Sequence, residues 1–318
     1  MQPFSLGLPD GKVVSGLHSL NPTLGSSNKQ TPTRNPTPLI VALHGGTYTS
    51  KYFDVDEVYS ASTVSNALGI PFVAIDRPGY DSSTGFTSTP AGSSYAEESG
   101  LWLHRHVLPL LWSKYGVSSG CSCIVLHAHS LGTISGIIAA TLHAKESEEG
   151  GKKPSYPLGG ISMSGFGSQP TESPVSPQDI GTTPIVIPPE VKDKMMLQEG
   201  HADPSVYKYT GALNHSMSVE EMSSAGTVWF PRWRELAGSV VVPVMVGFAG
   251  HDLMWNGNKE HLEEFTSAFT ASERVDGSVI TGAPHNLELS YWSRGWYARC
   301  FGFALECAAR FEQKTLSL

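Results

Sequence analysis

Cysteine is scarce in this chain, and charge is sparse. Its four cysteines form no C-x-x-C pair: Cys121 and Cys123 alternate at the head of an apolar run, and Cys300 and Cys307 fall seven apart on a helical pattern. That usage argues against a disulfide scaffold or a cysteine-ligated zinc site and fits core thiols. Only 16% of residues are charged, and 29 acidic residues against 21 Lys and Arg leave a net charge of −8. With no basic block, nucleic acid and an anionic membrane surface are excluded as partners. No apolar run approaches the roughly 20 residues that span a bilayer. The opening MQPFSLGLPDGK carries neither the basic nor the apolar region of a secretory signal, so a cytoplasmic location is expected.

What is present is a rhythm. The 318 residues suit a large α/β domain with an insertion, and the 33 glycines and 22 prolines imply many turns. Short apolar runs rich in β-branched residues alternate with helical patterns, as in βαβ units. Strands are expected in TPLIVALHGG (37–46), IPFVAIDRPGY (70–80), CSCIVLHAHS (121–130), LGGISMSGF (158–166), SVVVPVMVGFAGHD (239–252) and GSVITG (277–282). Helices are expected over 50–69, over 95–115 with a kink at Pro109, over 131–144 and over 258–271, before a long C-terminal helix. The stretch 145–157 reads as an exposed loop. Residues 167–234 break the pattern, with prolines at 170, 174, 177, 184, 188 and 189 among others. The expected organisation is therefore a core of 1–166 and 235–318, a mostly parallel sheet flanked by helices, with 167–234 as a cap or lid.

The chemistry starts at Ala128-His129-Ser130-Leu131-Gly132, one residue from the G-x-S-x-G nucleophile elbow. An elbow needs small residues two before and two after the serine, because the strand turns sharply into a helix. Gly132 meets this outright, and Ala128 adds one methyl. The bland alternative is a serine that caps the next helix. Ser162, in Gly160-Ile161-Ser162-Met163-Ser164, is a competitor, but no helix pattern follows it. A serine nucleophile needs a base. His285, after a short strand and before the last helix, is the candidate, because His129 is too local and His104 and His106 point apart on a helix. The orienting carboxylate is Asp252, just past an apolar strand, with a turn cap as the plainer alternative. Oxyanion donors are expected from the backbone of Gly46, in LHGG, and of Leu131. A zinc reading of His127 and His129 with His44 and Asp252 lacks any H-E-x-x-H or second ligand pair, so no metal and no cofactor are expected.

LHGG, IDRPGYDSS, HAHSLG, Asp252 and His285, in that order, resemble the α/β-hydrolase family over roughly residue 38 to the C-terminus. The order Ser, Asp, His matches this family rather than the chymotrypsin and subtilisin folds. The resemblance implies an α/β-hydrolase fold with a cap, and a Ser130–His285–Asp252 triad. It implies a hydrolase acting on an ester, lactone or thioester of a small-molecule substrate. A C–C bond hydrolase or lyase with the same triad, and a ligand-binding protein on a hydrolase scaffold, stay open. Trp229, Phe230 and Trp233 are expected either to roof an apolar pocket or to pack the cap onto the body.

Overall fold

The computed structural model describes residues 1–20, 35–149, 154–172 and 184–317. Eight strands form one sheet: β1 (Gln2–Gly7), β2 (Val13–Ser19), β3 (Pro38–Leu43), β4 (Phe72–Ile75), β5 (Cys123–His129), β6 (Leu158–Ser164), β7 (Val244–Ala249) and β8 (Val275–Ile280). They lie in the order β1-β2-β4-β3-β5-β6-β7-β8. β1 and β2 pair antiparallel, β2 joins β4 antiparallel, and every other neighbour is parallel. The chain runs outward from β3 to β4, then returns across β3 to β5. The β3–β5 boundary is therefore the switch point of the sheet, where a crevice opens beyond the strands' carboxyl ends.

Every residue of β3, β4, β5, β6 and β7 is buried, because helices cover both faces. Alternate residues of β5 show this directly. Ile124, Leu126 and Ala128 belong to one apolar core, and Cys123 and Val125 to the other. The helices are α1 (Ala61–Leu68), α2 (Tyr95–Trp102), α3 (Leu108–Leu111), α4 (Gly132–Glu149), α5 (Pro189–Met196), α6 (Tyr207–Leu213), α7 (Val219–Ser224), α8 (Phe230–Gly238), α9 (Lys259–Ser267) and α10 (Ser293–Leu316). α2, α3, α4, α8 and α9 supply residues to the first core, and α1 and α10 to the second.

Several expectations are corrected by tertiary context. The β1–β2 hairpin was not expected from the sequence. β1 is only partly covered, so its alternation is weak, and the turn rests on Gly11 at φ +79. The helix expected over 50–69 is a 3₁₀ turn at Ser50–Phe53 followed by α1. Ser60 caps the start of α1 and Gly69, at φ +67, ends it. Around Pro109 the helix is not simply kinked. π turns at Leu103–Val107 and Trp112–Gly116 flank α3, and the wider first turn accommodates the carbonyls that the proline ring leaves without a partner. α4 continues to Glu149, through residues read as loop. The long C-terminal helix begins at Ser293: Leu289 lies in a 3₁₀ turn and Trp292 is the N-cap of α10. Within 167–234, residues 173–183 fall outside the described part of the chain; 184–238 carry α5 to α8.

Candidate active site

The end of β5 is shaped by what can fit there. Ser130 has φ +50, a left-handed conformation that few residues with a Cβ adopt. Its N–H donates to the Ser164 carbonyl on β6 at 2.9 Å, and its own carbonyl accepts from Thr133 N–H at 2.9 Å. A methyl on Gly132 would stand 2.7 Å from the His44 carbonyl oxygen and 2.8 Å from that of Leu43, so only glycine lets α4 start against β3. Ala128, where the elbow pattern has glycine, is fully buried and tolerated. Its methyl faces Gly136 on α4, where a Cβ would lie 3.6 Å away.

Ser130, His285 and Asp252 come together. His285 Nε2 lies 3.1 Å from Ser130 Oγ, and His285 Nδ1 lies 2.8 Å from Asp252 Oδ2. The partners set the tautomer: Nδ1–H donates to the carboxylate, and Nε2 accepts from the serine hydroxyl. Asp252 follows β7 and uses both oxygens, since Oδ1 accepts from Met254 N–H at 2.8 Å. One carboxylate thus makes both the turn contact to Met254 and the contact to His285. His285 is fully buried, in the connection from β8 to α10. Its neighbour Asn286 donates through Nδ2 to Tyr48 Oη at 2.7 Å, and its backbone N–H donates to the Met196 carbonyl of α5 at 2.9 Å. Gly46 and Leu131, the expected oxyanion donors, are side by side: a Cβ on Gly46 would meet Leu131 Cδ1 at 2.7 Å.

Beneath the triad lies a buried carboxylate that sequence reading missed. Glu288 is fully buried and accepts from Tyr52 Oη at 2.8 Å, Ser164 Oγ at 2.7 Å and Trp296 Nε1 at 2.9 Å. Burial pushes its pKa up, but His129, His127 and the Ser164 hydroxyl outweigh that and hold it well below the usual carboxylate range. His129 is the last residue of β5 rather than part of the turn. Its ring stacks on Tyr52 at 4.7 Å, and burial pulls its pKa down to about 4. Ser162 is buried inside β6 rather than at a turn: its Oγ donates to the Leu126 carbonyl at 3.3 Å and lies 3.0 Å from His127 Nδ1. His44 Nε2 accepts from Arg77 N–H at 3.1 Å, and burial, reinforced by the Arg77 charge, holds its pKa well down. The residues of the zinc reading are thus engaged with different protein partners. Among the described residues no group of three or more His, Cys, Asp or Glu is placed to hold a metal.

A cavity of about 270 Å³ opens over Ser130. Its walls carry no charged residue, and five of its lining side chains are methionines: Met195, Met196, Met217, Met222 and Met254. Thioether chains are flexible and polarizable, so such walls adapt to varied apolar shapes. The three aromatics of 167–234 divide. Phe230 lines the cavity, whereas Trp229 is fully buried, donates Nε1–H to the Gly167 carbonyl at 2.8 Å and packs with Trp233 on Phe265. The methionine lining was not legible, because only the tertiary fold brings residues 195 and 254 to one wall.

A mostly parallel eight-stranded sheet with a serine elbow at its switch point defines an α/β hydrolase. A profile of the Alpha/beta hydrolase family matches residues 40–297, and the chain belongs to that family. No curated protein matches it. Among solved structures it is similar to a monoacylglycerol lipase of Paleococcus ferrophilus (16% identity, TM-score 0.56, covering 86% of this chain and 96% of that one). It is also similar to a thermophilic esterase of Thermogutta terrifontis (13%, TM-score 0.57, 97% and 100%). A third is the thioesterase domain of the curacin biosynthetic pathway (14%, TM-score 0.52, 96% and 99%). At these identities the likeness is one of fold. Among the described residues no helix is long and apolar enough to cross a membrane.

Proposed function

We propose that this chain is a serine hydrolase that cleaves an ester, thioester or lactone of a small to medium apolar substrate through an acyl-enzyme. The observation that carries this reading is the unbroken hydrogen-bonded line Ser130–His285–Asp252 at the floor of an uncharged cavity. Ser130 Oγ attacks the carbonyl carbon as its proton passes to His285 Nε2. The new imidazolium is stabilised by Asp252 through Nδ1–H. The Gly46 and Leu131 N–H groups receive the oxyanion. His285 then protonates the departing alcohol or thiol, and water activated by the same nitrogen releases the acid. Residues 167–234 act as the cap: Met195, Met196, Met217, Met222 and Phe230 form the part of the wall that faces the acyl or leaving group.

Ser130→Ala tests the reading. It deletes one hydroxyl from a buried turn, so the fold should hold, while turnover of a p-nitrophenyl ester should fall by about 10⁶. A fluorophosphonate should label the wild-type chain at Ser130 and leave the variant unlabelled. A variant that keeps several percent of the activity would exclude Ser130 as nucleophile.

A further inference from the structure

The segment 45–47 leaves β3 and carries the Gly46 N–H assigned above to the oxyanion. Gly45 C=O and Gly46 N–H belong to one trans peptide, so they point to opposite sides of it. The Gly45 carbonyl accepts from Arg77 Nη2 at 3.0 Å and lies 2.8 Å from His44 Nδ1. Because His44 Nε2 accepts from Arg77 N–H, the ring proton sits on Nδ1, which donates to that carbonyl. Two donors therefore fix this peptide plane, one of them a guanidinium that polarises the amide and strengthens its N–H as a donor.

The next residue, Thr47, has φ +60, a costly conformation for a β-branched side chain. Its carbonyl accepts from Lys192 Nζ at 2.8 Å and from His215 N–H at 2.9 Å, and its N–H faces Tyr80 Oη at 3.4 Å. Both carbonyl donors come from the insertion. So does Glu221 on α7, which pairs with Arg77 Nη1 at 2.5 Å and accepts from Tyr80 Oη at 2.6 Å. Arg77, Lys192 and Glu221 are 2%, 1% and 3% exposed. The Lys192 ammonium finds a carbonyl, the Asn214 amide oxygen at 3.0 Å and the face of Tyr48 at 3.5 Å. None of these is a carboxylate. Burying such a cation costs stability, and an apolar side chain of similar volume would serve the packing better.

We propose that Lys192 and Glu221 are positioning residues that orient the oxyanion loop, Lys192 through the Thr47 carbonyl and Glu221 through Arg77 and Tyr80. The cap then does more than wall the pocket: its seating sets the direction of the Gly46 N–H. The inference rests on the serine-hydrolase reading and adds that transition-state stabilisation depends on two buried side chains far from the triad in sequence.

The test compares Lys192→Met and Glu221→Gln with wild type on an uncharged p-nitrophenyl ester. It adds binding of a trifluoromethyl ketone, which forms a tetrahedral oxyanion on the serine, and of a chain-matched alcohol, which does not. Deleting a direct oxyanion donor costs about 10²–10³ in kcat, so misorienting one is expected to cost roughly 10- to 100-fold. KM should stay within about threefold, ketone affinity should fall in step with kcat/KM, and alcohol affinity should hold. Lys192→Met should melt no lower than wild type, because it removes a buried charge. Tyr80→Phe removes a single hydroxyl and is expected to shift ketone affinity in the same direction; it carries the test if neither charge variant folds. Folded variants with wild-type kcat and ketone affinity would overturn the proposal, as would a kcat loss with unchanged ketone affinity. Absence of wild-type turnover and of Ser130 labelling would instead remove the hydrolase reading on which it rests.

Discussion

Ser130 holds its left-handed backbone against a cost of about 1–3 kcal/mol. Hydrogen bonds from both its peptide groups, to Ser164 and Thr133, and the glycine at 132 keep it there. Asp252 shows how one residue satisfies two readings, since one oxygen serves His285 and the other the Met254 N–H. Asp252→Asn should separate them. The amide oxygen can keep the bond to Met254, so the melting temperature should change little. The imidazolium loses its stabilising charge, and kcat should fall by about 10⁴. Near-normal kcat in single-turnover measurements would leave Asp252 with the turn alone. Ser130, Asp252 and His285 were legible as residues because each follows a strand and the chain order is distinctive. Arg77, Lys192, Glu221 and Glu288 were not. A charged residue in a sequence reads as surface, and only the fold shows which are buried and paired.

The strand-to-helix corner of β5 and α4 is the element on which the site depends, and the two small residues there have different tasks. Gly132 faces the carbonyl oxygens of Leu43, at the end of β3, and of His44, which cannot retreat, whereas Ala128 faces the bare backbone at Gly136. Gly132→Ala should therefore force β3 and α4 apart, costing about 3 kcal/mol in a denaturant titration and most of the activity. Ala128→Gly restores the full G-x-S-x-G pattern, yet should give no gain in kcat and should lower stability by about 1 kcal/mol, because a glycine in a buried strand loses packing and backbone entropy. A faster Ala128→Gly enzyme would show that the methyl strains the elbow. The helices of 184–238 were less legible than this corner. They are short, most carry no side-chain cap at their start, and they depend on tertiary packing, α5 on α6, α7 on α2 and α8 on α4.

At the scale of the whole molecule, the buried histidines set a response to acid. Burial lowers the pKa of His44, His104, His129, His143 and His261 in the folded chain. In the unfolded chain each titrates near ~6.5. As pH falls below that value the unfolded state therefore binds more protons than the folded one, and stability is lost. For His129, folded value about 4, the loss runs from roughly 6.5 down to about 4. The guanidinium midpoint should drop between pH 7 and pH 5, and His129→Asn should lessen the drop. A midpoint that rose on acidification would mean that these rings are charged in the native state. By itself the sequence determined the strand–helix rhythm, the elbow and the order of the three polar residues. These are local patterns, written by burial periodicity and by steric demands within a few residues. Only the tertiary structure decided the N-terminal hairpin, the methionine wall, the carboxylate beneath His285 and the basic side chains that donate to the backbone of Gly45 and Thr47. Each of those depends on which distant residues share a space from which water is excluded, and in such a space a charge is stable only where donors and acceptors converge on it.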